Sequence, residues 1–224
     1  MYFSRIELNR GLVRVRDLAG IIGGDGYKVH RHIWSFFADG AGSRRDFLYR
    51  QETTQGWPRF YTVSERPPVD ASGLWTVFGK PYQPRLITGQ RLMFSLRVNP
   101  VRTKRDAENR QHRHDVVMEA KKRQLEKGGD KPPVSLSQII QEEGCAWLTS
   151  RAEKYGFTVE PQTLRVDGYQ QHVLYKKQGR ITFSTLDFSG ILGVTDPGQF
   201  RNTLFNGIGP AKGFGCGLMM VKRP

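Results

Sequence analysis

The chain has 224 residues, 35 of them Lys or Arg against 21 Asp or Glu, and a formal net charge of +14. At this length a chain buries roughly 70% of its unfolded surface, so neither a disulfide framework nor a structural metal is required. Its 38% apolar content, with 13 Phe, 8 Tyr and 4 Trp, excludes a disordered chain, and the cationic excess points to a polyanionic partner, nucleic acid above all.

Residues 2–9 alternate in polarity and read as a strand. A helix follows in GYKVHRHIWSFF, residues 26–37, with Asp25 as its N-cap. Short strands are expected at 47–51 and 59–63, then a Pro- and Gly-rich loop over 66–85. RLMFSLRVN, residues 91–99, is a clear strand, with Leu92, Phe94, Leu96 and Val98 on one face. Pro100 ends it, because proline has no N–H for the ladder.

Between Arg102 and Lys131 there are ten Lys or Arg and six Asp or Glu, few large apolar residues, and then Gly128-Gly129 and Pro132-Pro133. This composition reads as a basic linker or arm. A helix over 135–155, broken or capped near Gly144, precedes strands at 157–166, 171–176, 181–187 and 190–194. Asp196-Pro197 opens another helix, which stops at Gly207, and a strand at 218–221 closes the chain. The expected fold class is α+β: two tandem ferredoxin-like (RRM-like) domains, antiparallel sheets with helices on one face. The first spans 1–100, the basic arm 101–135, and the second 136–224. A single larger α+β domain is the alternative.

Cys145 and Cys216 stand far apart, with no CxxC or Cys/His metal spacing, which fits a reducing cytoplasm. The start MYFSRIELNR lacks the apolar core of a signal peptide. No run approaches the ~20 apolar residues that cross a bilayer. Neither a membrane nor a metal is expected.

Four stretches could carry chemistry. GIGPAKGFGCGL, residues 207–218, holds Gly207, Gly209, Gly213, Gly215 and Gly217 between a helix and a strand. Such a density lets backbone approach a phosphate closely. Lys212 is followed by Gly213 and not by Ser or Thr, so this is no Walker loop, and no helix follows as a dinucleotide fingerprint requires. LYKKQGRITF, residues 174–183, is a hairpin with Lys176, Lys177 and Arg180 at its turn, a size and charge suited to nucleic-acid phosphates. HRH, residues 112–114, sits in the basic arm with no cysteine nearby in sequence and is not read as a metal site; His172 reads as structural.

On the first helix, at about 100° per residue, Val29, Ile33, Phe36 and Phe37 form the apolar stripe. Lys28, Arg31 and Ser35 face solvent or a polyanion. Tyr27, His30 and Trp34 share one border of the stripe and His32 lies on the other. Tyr27 and His30 are thus one turn apart and can address the same ligand atom.

Taken together, MYFSRIEL, YKVHRHIW, LRVNP after a long strand, and GIGPAKGFGCGL near the C-terminus resemble the CasE family, the CRISPR RNA-processing endoribonucleases of type I-E Cascade. The resemblance covers both halves of the chain. It implies metal-independent cleavage of a CRISPR repeat stem-loop without a cofactor, and retention of the mature crRNA alongside the other Cascade subunits. The family's tyrosine and histidine, three residues apart on the first helix, match Tyr27 and His30. RVRDLAGIIGGDG and the arm are longer than the family pattern, and no catalytic residue is carried over from 100–150.

The chemistry suits these residues. Attack of the RNA 2′-OH on the adjacent phosphate leaves a 2′,3′-cyclic phosphate and a 5′-OH. Histidine moves protons near neutrality, whereas tyrosine, with a pKa of ~10, serves better to orient the phosphate. The expected site is His30 and Tyr27 for catalysis, with Lys28, Arg31, Lys176, Lys177, Arg180, Gly207, Gly209, Lys212, Gly213 and Gly215 binding RNA. A non-catalytic RNA-binding subunit and a nucleotide-cofactor enzyme using the glycine-rich loop remain open alternatives.

Overall fold

The computed structural model describes residues 1–13, 26–37, 44–126, 134–176 and 179–224, with Tyr27 and Lys176 described in the backbone only. The expected N-cap Asp25 and hairpin residue Lys177 lie outside these residues. Two antiparallel sheets dominate, and each carries its helices in a ferredoxin-like arrangement.

In the first, β1 (Tyr2–Leu8) leads to α1 (Gly26–Ser35), then β2 (Phe47–Thr54), β3 (Trp57–Ser64) and β4 (Trp75–Pro81), in the order β2-β3-β1-β4. β4 lies within the stretch expected to be loop. Its pairing with β1 in unbroken register from Tyr2↔Pro81 to Leu8↔Trp75 supplies the order that its sequence pattern lacks. Val29 and Ile33 of α1, with Phe36 and Phe37 in the turn that follows it, pack with Ile6, Leu8, Phe47, Phe60 and Trp75 in one core. Lys28, Arg31 and Ser35 are exposed, as the helical period requires.

The second sheet runs β11-β5-β10-β8, with β9 added to β10. It comprises β5 (Arg91–Val98), β8 (Phe157–Val159), β9 (Arg165–Lys176), β10 (Gly179–Val194) and β11 (Met219–Lys222). β5 therefore opens the second unit and does not close the first. Leu92, Phe94, Leu96 and Val98 enter a core with Trp147, Leu148, Phe157, Phe188, Phe200 and Leu204. Alternation shows which face of a strand is buried but not against which sheet.

Residues 101–126 are not the loose arm expected. β6 (Val101–Arg105) and β7 (Gln111–Asp115) form an antiparallel hairpin, and α2 (Val116–Glu126) follows at once. Asp115 caps α2, accepting from the backbone N–H groups of Val117 and Met118 at 2.9 Å each. Val116, Val117 and Ala120 drop into the second core. On the hairpin Arg110 pairs with Asp106, and Lys104 reaches Glu119 on α2.

α3 (Leu136–Ala152) is capped by Ser135 and runs unbroken through Gly144. Gly144 is there for close packing, since a Cβ would overlap Val166 Cγ1 on β9. The separate strands expected over 165–194 are one long ribbon with a register shift between Thr185 and Asp187. α4 (Pro197–Asn206) has Asp196 as N-cap and Gly207 as C-cap. Leu48 and Val63 of the first sheet meet Leu218 in a small cluster that joins the two units.

Candidate active site at the junction of the two units

α1 and the glycine-rich loop meet across the junction. His30 Nδ1 lies 2.6 Å from the carbonyl oxygen of Gly213, within a 3₁₀ turn, Lys212–Phe214. A carbonyl only accepts, so Nδ1 carries the proton. On the other side of the ring, the Trp34 indole N–H donates to His30 Nε2 at 3.1 Å. These two bonds define a neutral Nδ1–H imidazole whose Nε2 is the acceptor. The Tyr49 hydroxyl, on β2, also donates to the Gly213 carbonyl, at 3.1 Å. Burial raises the pKa of Tyr49, so this phenol remains a donor.

The loop divides by role. Gly207 and Gly215 are buried, have φ of 72° and 81°, and face Leu48 and the Tyr49 ring. Their glycines serve backbone conformation and packing between the units. Gly209 lies near Trp147. Gly213 is the position that faces the site, where a Cβ would stand 3.4 Å from His30 Cε1 and 3.3 Å from an Arg45 Nη. The loop's backbone was expected to approach a phosphate closely; at Gly213 its carbonyl is directed to His30 and Tyr49. Lys212 is half-buried, and burial followed by the nearby Arg45 lowers its pKa.

An aromatic series continues from this point. His30 packs on Phe214 at 5.7 Å between ring centroids, Phe214 stacks on Phe183 at 5.2 Å, and Phe183 stacks on His172 at 4.8 Å. Phe183 and His172 belong to the long ribbon, so the ribbon that carries Arg180 is coupled through packed rings to His30. Phe214, Phe183 and His172 line a cleft of about 680 Å³, shared with Tyr49, Gln51 and Arg97. Arg97 is held there by Asp187 in a two-point pair, at 2.8 and 2.7 Å. His172, read as structural, is a cleft residue that contacts Thr185 Oγ1 at 3.0 Å; burial, then Arg97, lowers its pKa.

Other expected residues are spread more widely. Lys28 and Arg31 lie on the exposed face of α1, and Arg180 is exposed beside Tyr175 near the ribbon tip. Tyr27 sits in the first turn of α1, one turn before His30. His32 is not part of the site. It packs against Trp75 at 4.9 Å and Phe36 at 5.1 Å, and burial lowers its pKa. His112 and His114 are exposed on β7, and His112 contacts Asp106. Among the described residues no group of three or more His, Cys, Asp or Glu could hold a metal ion, and no helix is long and apolar enough to cross a membrane.

The residues missed from sequence are Tyr49, Trp34 in its contact with Nε2, Arg45, and the basic β6–β7 hairpin. The hairpin's composition was visible; its order was not. Tyr49 and Arg45 carried no local signal, because their meaning comes from a contact with a loop more than 160 residues away.

Comparison with known proteins places this geometry in context. A family model described as CRISPR associated protein matches residues 1–223. The chain is 28% identical over 231 residues to the CRISPR system Cascade subunit CasE of Escherichia coli, covering 99% of this chain and 98% of that protein. It is 28% identical over 239 residues to the CRISPR-associated endoribonuclease Cse3 of Thermus thermophilus, covering 99% of each. The solved structure of Thermus thermophilus Cse3 bound to an RNA representing a pre-cleavage complex superimposes with a TM-score of 0.68 at 26% identity, over 99% of this chain and 98% of that one.

Proposed function

This chain belongs to the CRISPR-associated protein family, and from that premise we propose that it is the endoribonuclease that cuts CRISPR repeat stem-loops in precursor crRNA and keeps the product as a Cascade subunit. The carrying observation is the bond from His30 Nδ1–H to the Gly213 carbonyl. It brings the two most distinctive motifs, YKVHRHIW and GIGPAKGFGCGL, into one site. The names of the relatives, a Cascade subunit and an endoribonuclease, support the reading, as does the RNA-bound state of the structural neighbour.

In this reading His30 is the proton-transfer residue. Its Nδ1–H is anchored by the loop, so Nε2 is the working atom, and it exchanges the Trp34 indole N–H for a reacting RNA hydroxyl. Tyr27, one turn earlier, orients the phosphate. Tyr49 holds the Gly213 carbonyl that holds His30, and is a positioning residue. The 2′-oxygen forms a bond to phosphorus, the bond from phosphorus to the 5′-oxygen breaks, the 2′ proton leaves and the 5′-oxygen gains one. A 2′,3′-cyclic phosphate and a 5′-OH result, with no metal in the step. Lys28 and Arg31, exposed on α1, and Arg180, exposed on the ribbon, hold the stem by its phosphates together with Lys176 and Lys177, and the β6–β7 hairpin adds Arg113 and Arg102. The partner RNA and the thiol content fit a cytoplasmic protein.

Incubation with the host's repeat RNA in EDTA tests this directly. Cleavage should proceed, and a 2′-deoxy substitution just 5′ of the cut should abolish it while sparing binding. Cleavage that stops in EDTA and returns with Mg²⁺ would contradict the mechanism. Tight binding without cutting would favour a non-catalytic subunit.

A further inference from the structure

We propose that Arg45 is a further catalytic residue, which with Lys212 forms a cationic seat for the scissile phosphate beside His30. Arg45 lies in the segment entering β2, and its guanidinium and the His30 ring close on the same spot. A Cβ at Gly213 would be 3.3 Å from one Arg45 Nη and 3.4 Å from His30 Cε1. The absence of a side chain at Gly213 is what lets both groups reach this point.

The neighbouring charges are accounted for, and these two are not. Asp46 accepts from Arg66 at 2.8 Å, and Asp187 holds Arg97. Among the described residues no carboxylate pairs with Arg45 or Lys212. Both are half-buried and line a cleft of about 720 Å³ with Arg44 and Arg66, whose acids are the engaged Asp46 and the exposed Glu65. Burial lowers the pKa of each cation, and the Arg45 charge lowers that of Lys212 further. Two partly desolvated like charges side by side destabilise the free protein. An anion between them removes that cost.

A transesterification supplies such an anion. As the 2′-oxygen bonds to phosphorus before the 5′-oxygen has left, the phosphoryl oxygens gain negative charge. Fixed cations at that point stabilise the transition state more than the bound substrate. The assignment rests on the functional reading above.

The test compares single-turnover cleavage of the repeat RNA by the full-length wild type, Arg45→Gln, Arg45→Lys and His30→Ala. Arg45→Gln should slow cleavage by about 10²–10³-fold, the usual loss for one charge-stabilising donor. Its RNA affinity should fall by less than about tenfold, since one phosphate contact among many is removed. Arg45→Lys should recover at least about tenfold of the lost rate, because the charge is restored. Arg45→Gln cutting within about threefold of wild type would overturn the assignment, and so would Arg45→Lys being as slow as Arg45→Gln. If the wild type cuts and His30→Ala does not, either result leaves the functional reading standing. A wild type that fails to cut overturns both.

Discussion

The Trp34 indole N–H donates to His30 Nε2 at 3.1 Å, so the lone pair a proton-transfer residue needs is occupied by the residue one turn along the same helix. With Nδ1–H given to the Gly213 carbonyl, the imidazole has one tautomer consistent with both partners. In the free protein at pH 8, nitrogen-detected NMR of His30 should show a protonated Nδ1 and an unprotonated Nε2. The opposite assignment would contradict the bond to Gly213. RNA binding should change the Nε2 resonance and leave Nδ1 protonated.

His30→Ala should reduce the single-turnover cleavage rate by about 10²–10⁴-fold, the range for a lost acid–base group, with little change in affinity. His32 offers the contrast. Its ring fills an aromatic box with Trp75, Phe36 and Phe60, so His32→Phe should leave the rate near wild type. Equal losses for the two substitutions would refute the separation of the helix borders.

His32 also sets a pH dependence of stability. Burial holds its pKa in the folded protein below the ordinary 6.5, against an opposing pull from Asp70. Above pH 6.5 both folded and unfolded chains have it neutral, and it contributes nothing to the slope. As pH falls below 6.5 the unfolded chain binds the proton first, so stability declines until the lowered folded value is passed. His172 acts in the same direction. Chemical denaturation between pH 8 and pH 5 should show this decline, and His32→Phe should shrink it. An identical decline in the variant would remove His32 as a cause.

Gly144→Ala should destabilise the second unit by about 1–3 kcal/mol, the cost of forcing extra volume into a packed interface. The added Cβ overlaps Val166 Cγ1 and stands 3.2 Å from Val166 Cβ. Adding Val166→Ala should recover part of the loss, because the clash is with a side chain that can be shortened. Denaturant melts of the single and double variants read this coupling, and additive losses would contradict it.

Replacing Lys176, Lys177 and Arg180 by Ala should flatten the dependence of log K on log salt by about two units, at roughly 0.7 to 0.9 per lost phosphate contact. The rate at saturating protein should fall much less than in His30→Ala. An unchanged slope would remove the ribbon tip from the RNA surface and leave α1, the glycine-rich loop and the β6–β7 hairpin to bind.

Much of the local structure was legible because periodicity is a property of the chain itself. The buried stripe Val29, Ile33, Phe36 and Phe37, the exposed Lys28 and Arg31, the inward face of Arg91–Val98 and the Asp196 cap all follow from side-chain spacing and backbone chemistry. His30 on the border of its stripe belongs with them. The tertiary structure alone decided what each face meets. β5 pairs with β10 and β11 because its apolar face completes the Trp147 and Phe188 core, and a strand's backbone edges show no partner in sequence. Val116, Val117 and Ala120 order an arm that looked like a linker, since burial of three small groups depends on a cavity built elsewhere. The site itself forms only when α1 reaches the loop, with Gly213 bare enough to admit His30, Tyr49 and Arg45 together. Which groups converge on one point is set by the packing of two sheets, and spacing along a single chain does not encode it.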